Sequence, residues 1–314
     1  MQIDMQVLIR QLETFLILIL FGFLASKTNL LTTELHDKLN SILMRVVIPA
    51  LLISTMAGGS GEENFRLLLP MLAGGTLLFG FLAAAGLLSA RLMGFLGDKR
   101  DVQIAVMSFS SLGFFGIPLV SALLGGVGTA AFGIFSIVDN ITVWTIGLML
   151  SRGKSGKGSG ASFRQSFQKF VQPATVAVFI GLLLMVLRVP SDNLLMQSLS
   201  EVGSCSNPLA MLCIGASIAR SDLRRLYLGW PSLSVVLVKM ILSPMLVYCL
   251  AAWLHVYPPA AVSLTLIACL PSSSMFSLMC RDNGNTAVDY ATQAAIITVF
   301  CSLFTIPLVA WLLR

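Results

Sequence analysis

The sequence predicts an all-α polytopic membrane protein, with ten transmembrane helices in two inverted five-helix repeats. Three observations carry that expectation. Charged residues make up only 11% of the 314-residue chain, against about 25% in an ordinary soluble domain, while 56% are hydrophobic and mean hydropathy is +0.89. The apolar residues come in successive runs of about 20, long enough to cross a hydrocarbon core of about 30 Å. A single long polar stretch, SRGKSGKGSGASFRQSFQK over 151–169, separates five runs from five. A water-soluble globule is excluded, because too few polar residues remain to cover its surface.

The spans are expected at 7–26, 36–57, 66–93, 102–124, 128–150, 170–189, 195–219, 230–254, 259–280 and 286–313. The N-terminal MQIDMQVLIRQLETF has Asp4 and Glu13 and no basic region ahead of a small-residue cleavage site, so the first span is expected to be retained. The halves then cover 1–151 and 170–314, joined by a basic, Gly- and Ser-rich linker over 152–169. Five is odd, so the halves enter the membrane from opposite sides and any likeness between them is an inverted repeat. Prolines recur in equivalent spans: Pro49 in span two and Pro208 in span seven, Pro118 in span four and Pro271 in span nine.

Fourteen of the 20 Lys and Arg residues fall in connections on one side. Four fall on the other, Arg10, Arg66, Arg188 and Arg314, while Arg45 and Lys239 lie within spans. That asymmetry places the linker in the cytoplasm and both termini outside. It also accounts for the net charge of +6 by orientation in a bilayer, so nucleic-acid binding is not indicated. The six cysteines form no CxxC pair, and His36 and His255 lie far apart at span ends, so no metal or other cofactor is expected.

Spans four and nine are interrupted. SFSSLGFFGIPLV gathers Ser108, Ser110, Ser111, Gly113, Gly116 and Pro118, and CLPSSSMFSLM places Ser272, Ser273 and Ser274 after Pro271. Proline removes one backbone donor and frees a carbonyl, and in hydrocarbon such groups need other partners unless they line a cavity or are covered by protein. Pro271 suits the first position of a new half-helix, whose free amides and positive end could hold a carboxylate. Kinked packing faces alone are common, but paired interruptions in inverted halves point to a midplane site.

Asp139, in FSIVDNITVW, and Lys239, in VVLVKMILSP, lie near the centres of spans five and eight. A lone charge there costs several kcal/mol, roughly 3 on insertion scales, so a partner or a change of protonation is expected. The two are candidates for each other, as a proton carrier or as a structural ion pair. Asn140 points about 100° away from Asp139 around the helix and could support the opened backbone. Arg45 is placed to snorkel, and Asp289 suits the first turn of span ten.

In order along the chain, FLILILFGFLASKTNLLTTELHDKLNSILMRVVIPALL, GFFGIPLV, LCIGAS and ACLPSSSMFSLM resemble the auxin efflux carrier family, over about residues 12–313. Members of that family carry auxin, malonate, malate or other organic acids. Its fold is similar to bile acid sodium symporters and sodium/proton antiporters, in which a core with two broken, crossing helices moves against a scaffold. The resemblance implies a crossing near Pro118 and Pro271, a scaffold of spans one, two, six and seven, and a core of spans three to five and eight to ten. Many members have Asn seven residues before the span-four proline, where this chain has Ser111. Asp139, Asn140 and Lys239 resemble the acidic pair and lysine of the antiporters.

The resulting expectation is a bacterial inner-membrane carrier of organic anions working by alternating access, and not an enzyme. An enzyme would need a motif such as HExxH, or a DxxxD pair within a span, and neither is present. Ser110, Ser111, Gly113, Gly116 and Pro118, with Pro271, Ser272, Ser273 and Ser274, are expected at the substrate, with Asn140 beside them. Asp139 and Lys239 are expected to handle charge or a proton. The partners are a small organic acid, the lipid bilayer and a coupling proton or sodium ion, and the scaffold could pair as a homodimer. The competing reading is a sodium/proton-type cation antiporter on the same fold.

Overall fold

The computed structural model describes residues 5–58, 61–112, 116–152, 173–187, 189, 193–220 and 229–312. Its regular elements are helices: α1 (Met5–Lys27), α2 (Thr33–Ile42), α3 (Ile48–Gly58), α4 (Gly61–Leu92), α5 (Asp98–Ser108), α6 (Ile117–Thr142), α7 (Leu148–Arg152), α8 (Pro173–Val186), α9 (Leu194–Ser204), α10 (Ser206–Arg220), α11 (Trp230–Val235), α12 (Ser243–Trp253), α13 (Pro258–Ala268), α14 (Ser274–Asp282) and α15 (Val288–Leu312). Wider π-helical turns join α2 to α3, α6 to α7, and α11 to α12, at Leu43–Val47, Val143–Gly147 and Val236–Leu242. Apart from Arg152, the expected linker lies outside the described residues.

Among the described residues, five stretches are long and apolar enough to cross a membrane: Thr33–Ala57, Phe65–Leu92, Leu123–Arg152, Leu194–Arg220 and Trp230–Trp253. Pro173–Val186 and Pro258–Ala268 are shorter apolar helices. The expected spans four and nine are each two pieces, α5 with the start of α6, and α13 with α14. Within α6, Gly125 takes φ 62° and ψ −144°, a conformation that a side chain would strain, and this turns the chain from the short start of α6 into its long remainder.

The helices pack in two sets. α1 lies along α10, and α3 is flanked by α8 and α9. In the other set α4 packs on α5, α6 and α13, α13 packs on α12, and α15 packs on α14 and α5. α6 touches both sets through α3, α8 and α10. The α1–α10 seam is backbone against backbone. A Cβ on Gly22 would run into the Leu212 carbonyl, and one on Gly215 into the Ile19 carbonyl. Without a hydrophobic drive between helices in lipid, such close contact of small residues is what binds them. Polar pairs fix one end of this seam: the Arg220 guanidinium donates to Leu31 O at 2.5 Å, and His36 Nε2 lies 3.0 Å from Ser217 Oγ.

In the second set a buried polar network ties α5 down at its start. Gln103 Nε2 donates to Ser89 Oγ at 2.9 Å and Ser234 Oγ at 3.1 Å, and Gln103 Oε1 accepts from the Tyr290 hydroxyl. Asp98 accepts from the Thr286 amide at 3.1 Å and hydroxyl at 2.7 Å, while Asn285 donates to Ser151 O at 3.1 Å. α5 is thereby anchored to the turn between α14 and α15, and that turn to α7.

Candidate functional site

The two breaks meet. α5 ends at Ser108, and the following residues run extended, Phe109 having φ −89° and ψ 133°. α13 ends at Ala268, and Pro271 and Ser272 lie ahead of α14. The two segments pair like short antiparallel strands. Ser110 bridges Ser272, Ser111 N donates to Pro271 O at 2.8 Å, and Ser273 N donates to Phe109 O at 3.1 Å. Backbone groups orphaned by one broken helix are satisfied by the other, as an apolar interior demands. Pro271 is therefore not the first residue of the half-helix, as its sequence context suggested. Its carbonyl is committed to Ser111, and α14 begins three residues later, behind Ser273.

Side chains complete the bridge between the two segments. Ser272, fully buried, donates from Oγ to Val106 O at 2.6 Å and from its amide to Thr298 Oγ1 at 3.0 Å. Lys239, also fully buried, sits in the π-helical turn between α11 and α12 and donates to Phe109 O at 2.5 Å and Val106 O at 3.4 Å. A cation at the carbonyl end of α5 matches the negative pole of that helix. Ser243, one turn on, donates to Ala268 O at 3.3 Å, at the end of α13. The Phe109 ring packs against Phe79, with centroids 5.5 Å apart, and stacks on Phe276 at 5.8 Å, filling the space beside the bridge.

The remaining expected residues divide. Lys239 makes no ion pair with Asp139, its ammonium being taken by the two carbonyls at the end of α5. Asp139 instead lines a water-sized void with Ser108, Ser110 and Thr142. Asn140 donates to Ser136 O of its own helix at 2.9 Å rather than to the bridged segments. Gly116 is the residue before α6, against Phe132 and Leu270, and Pro118 lies in the first turn of α6. Gly113 lies outside the described residues. Ser111 is buried, whereas Ser273 is half-buried and Ser274 exposed. Neither half-helix start has a side-chain cap: the residue before α6 is Gly116, and Ser273 makes no capping bond for α14. One turn into α14, the buried Ser277 hydroxyl finds no hydrogen-bond partner among the described residues.

Ser243, Thr298, Phe109 and Ser277 were not singled out by sequence reasoning. Each looks like an ordinary hydroxyl or aromatic within an apolar run, and only the proximity of the other broken helix gives it a role.

Polar backbone held open inside an apolar bundle is the arrangement expected of a membrane carrier. The family model described as membrane transport protein matches residues 7–310. The chain belongs to this family. It is the auxin efflux carrier family of the sequence resemblance. The chain is also similar to an uncharacterized transporter of Methanothermobacter thermautotrophicus, at 22% identity over 301 residues, covering 93% of this chain and 94% of that one. As a member of the membrane transport protein family, the protein is a multi-pass membrane transporter. The family's match includes both breaks and Lys239, Ser243 and Thr298.

Proposed function

We propose that the protein is a secondary carrier of small organic anions, in which the carboxylate binds at the start of α14. The observation that carries this reading is the uncapped first turn of α14, with Ser273 and Ser274 outside the hydrogen bonds that bury Ser272. Free amides at a helix start favour an anion, and the hydroxyls add donors. Ser110, on the opposing extended segment, adds a further hydroxyl, and Ser277 lies one turn deeper.

In this reading the ten spans form two inverted five-helix repeats, with broken spans four and nine crossing at the Ser110–Ser272 bridge. A scaffold of α1 to α3 and α8 to α10 stays fixed while the remaining helices carry the site between the two sides, an elevator-type movement. The two packing sets support that division, and the contacts of α6 with α3, α8 and α10 lie where the sets would slide. The basic asymmetry supports a cytoplasmic linker in the cell inner membrane, with both termini outside. Asp139 carries the coupling charge, and Lys239 holds the crossing closed.

The test is flux in proteoliposomes with radiolabelled malonate, malate and an aromatic acetic acid. Ser273→Ala combined with Ser274→Ala is expected to raise KM about tenfold, the loss of one or two hydrogen bonds to a charged group. Asp139→Asn is expected to alter the pH dependence of flux. A second reading, the cation antiporter, draws on the void that Asp139 lines with two serines and Thr142. If no acid moves and sodium or lithium drives proton flux that Asp139→Asn abolishes, that second reading replaces the first.

A further inference from the structure

The two packing sets meet at α6, and a side-chain hydrogen bond joins them there. Ser121 Oγ of α6 donates to Asn207 Oδ1 of α10 at 3.4 Å. Asn207 is half-buried and lies at the middle of the apolar span Leu194–Arg220, just beyond the point where α9 gives way to α10. An amide at that depth is costly in lipid and is kept where it faces protein or a path through it.

The bond fixes where the Asn207 side chain points. Ser121 is one turn into α6, and the Cα–Cβ bond of a helical residue tilts toward the helix start, so Asn207 is held against the first turn of α6. Gly116, the residue before that turn, lies against Leu270, which precedes Pro271. The bridge between the two broken helices is therefore the next thing along from Asn207 on this face of α6. The bond also divides the amide. Oδ1 takes the Ser121 hydroxyl, and the two N–H donors of Nδ2 meet no acceptor among the described residues. Donors so placed suit an anion or a carbonyl oxygen and not a cation.

We propose that Asn207 donates through Nδ2 to the carried acid, with Ser121 as the positioning residue that holds Oδ1. The inference rests on the carboxylate reading of α14 and adds a contact from the other packing set. An acid held by both sets is gripped fully only while they stand in the relation seen here, and a sliding movement releases the Asn207 contact.

The experiment is equilibrium binding of radiolabelled malonate, malate and phenylacetate to the purified full-length protein, beside flux in proteoliposomes. For the acid that the parent binds, Asn207→Ala is expected to raise Kd and KM about tenfold, with turnover per folded protein within about twofold. Asn207→Asp, which replaces the donors by a charge that repels an anion, is expected to raise them about 100-fold. Ser121→Ala is expected to raise them about threefold, and Ser121→Thr, which keeps the hydroxyl, restores the parent values. If Asn207→Ala does not fold, the near-isosteric Asn207→Asp and Ser121→Ala carry the test. An acid bound by the parent with Kd unchanged in these variants overturns the inference and leaves the carboxylate reading standing. Unchanged Kd with altered turnover means a bond that only holds the two sets together, and overturns it as well. No binding and no flux of any acid by the parent overturns the carboxylate reading and the inference with it.

Discussion

Lys239 and Ser243, one helical turn apart, reach the ends of two different broken helices. Lys239 serves the Phe109 carbonyl beyond α5, and Ser243 serves the Ala268 carbonyl at the end of α13. One helix thus supports both sides of the bridge, and the consequences of removing each group differ. Ser243 also donates to Lys239 O at 2.6 Å, so its loss frees one weak bond across the helices, worth about 1 kcal/mol. Lys239→Ala leaves a buried carbonyl with a lost charged donor and a cavity, about 3 kcal/mol or more. Melting in detergent is expected to rank parent, Ser243→Ala, Lys239→Gln and Lys239→Ala in falling order. Equal melting of Lys239→Ala and parent would contradict this role.

The α1–α10 seam gives the second prediction. Gly215→Val has to push Ile19 and its helix away, since the added Cβ meets backbone rather than a movable side chain. A loss of about 2–4 kcal/mol or failure to accumulate folded protein is expected, and Gly22→Val should match it. Gly80→Ala, with open space around the new Cβ, is the control and is expected to be neutral or slightly stabilising, by up to about 1 kcal/mol. Size-exclusion profiles and melting curves of the three variants decide it.

These residues also show how far the sequence is legible. Both breaks are readable because Ser, Gly and Pro cluster where backbone opens, and that chemistry is local. Lys239 stands out because a charge in an apolar run demands a partner, but Asp139 is the partner that residue types suggest. The actual acceptors, Phe109 O and Val106 O, are backbone groups that become available only when α5 ends, and no residue type announces them. Gly22 and Gly215 are hidden for the opposite reason, since glycines are frequent in membrane helices and only the facing carbonyl makes these two obligatory. Asn140 fits the opened backbone by helical angle, yet its side-chain amide donates to Ser136 O one turn back on its own helix.

Gly125 makes a third case. Its φ of 62° with ψ −144° lies in a region open essentially to glycine, so Gly125→Ala is expected to cost about 1–3 kcal/mol even though nothing crowds the added Cβ. Gly126→Ala, beside it and equally uncrowded, is expected to be neutral. Comparing the two melting temperatures separates backbone strain from crowding.

Thr298 links stability to the site. Its hydroxyl donates to Ala294 O at 2.8 Å, as many membrane threonines do, and the same oxygen accepts the amide of fully buried Ser272. Thr298→Val keeps the shape and strands that amide, a loss of about 1–3 kcal/mol, while Thr298→Ser keeps the acceptor and most of the stability. Ser272 also fixes the extended segment that leads through Ser273 into Ser274, the first residue of α14. If the carboxylate binds there, Thr298→Val raises KM for the carried acid in proteoliposomes, and Thr298→Ser restores it. A purely structural role would lower the amount of active protein and leave KM unchanged, so the split between KM and maximal rate, normalised to folded protein, tells the two apart.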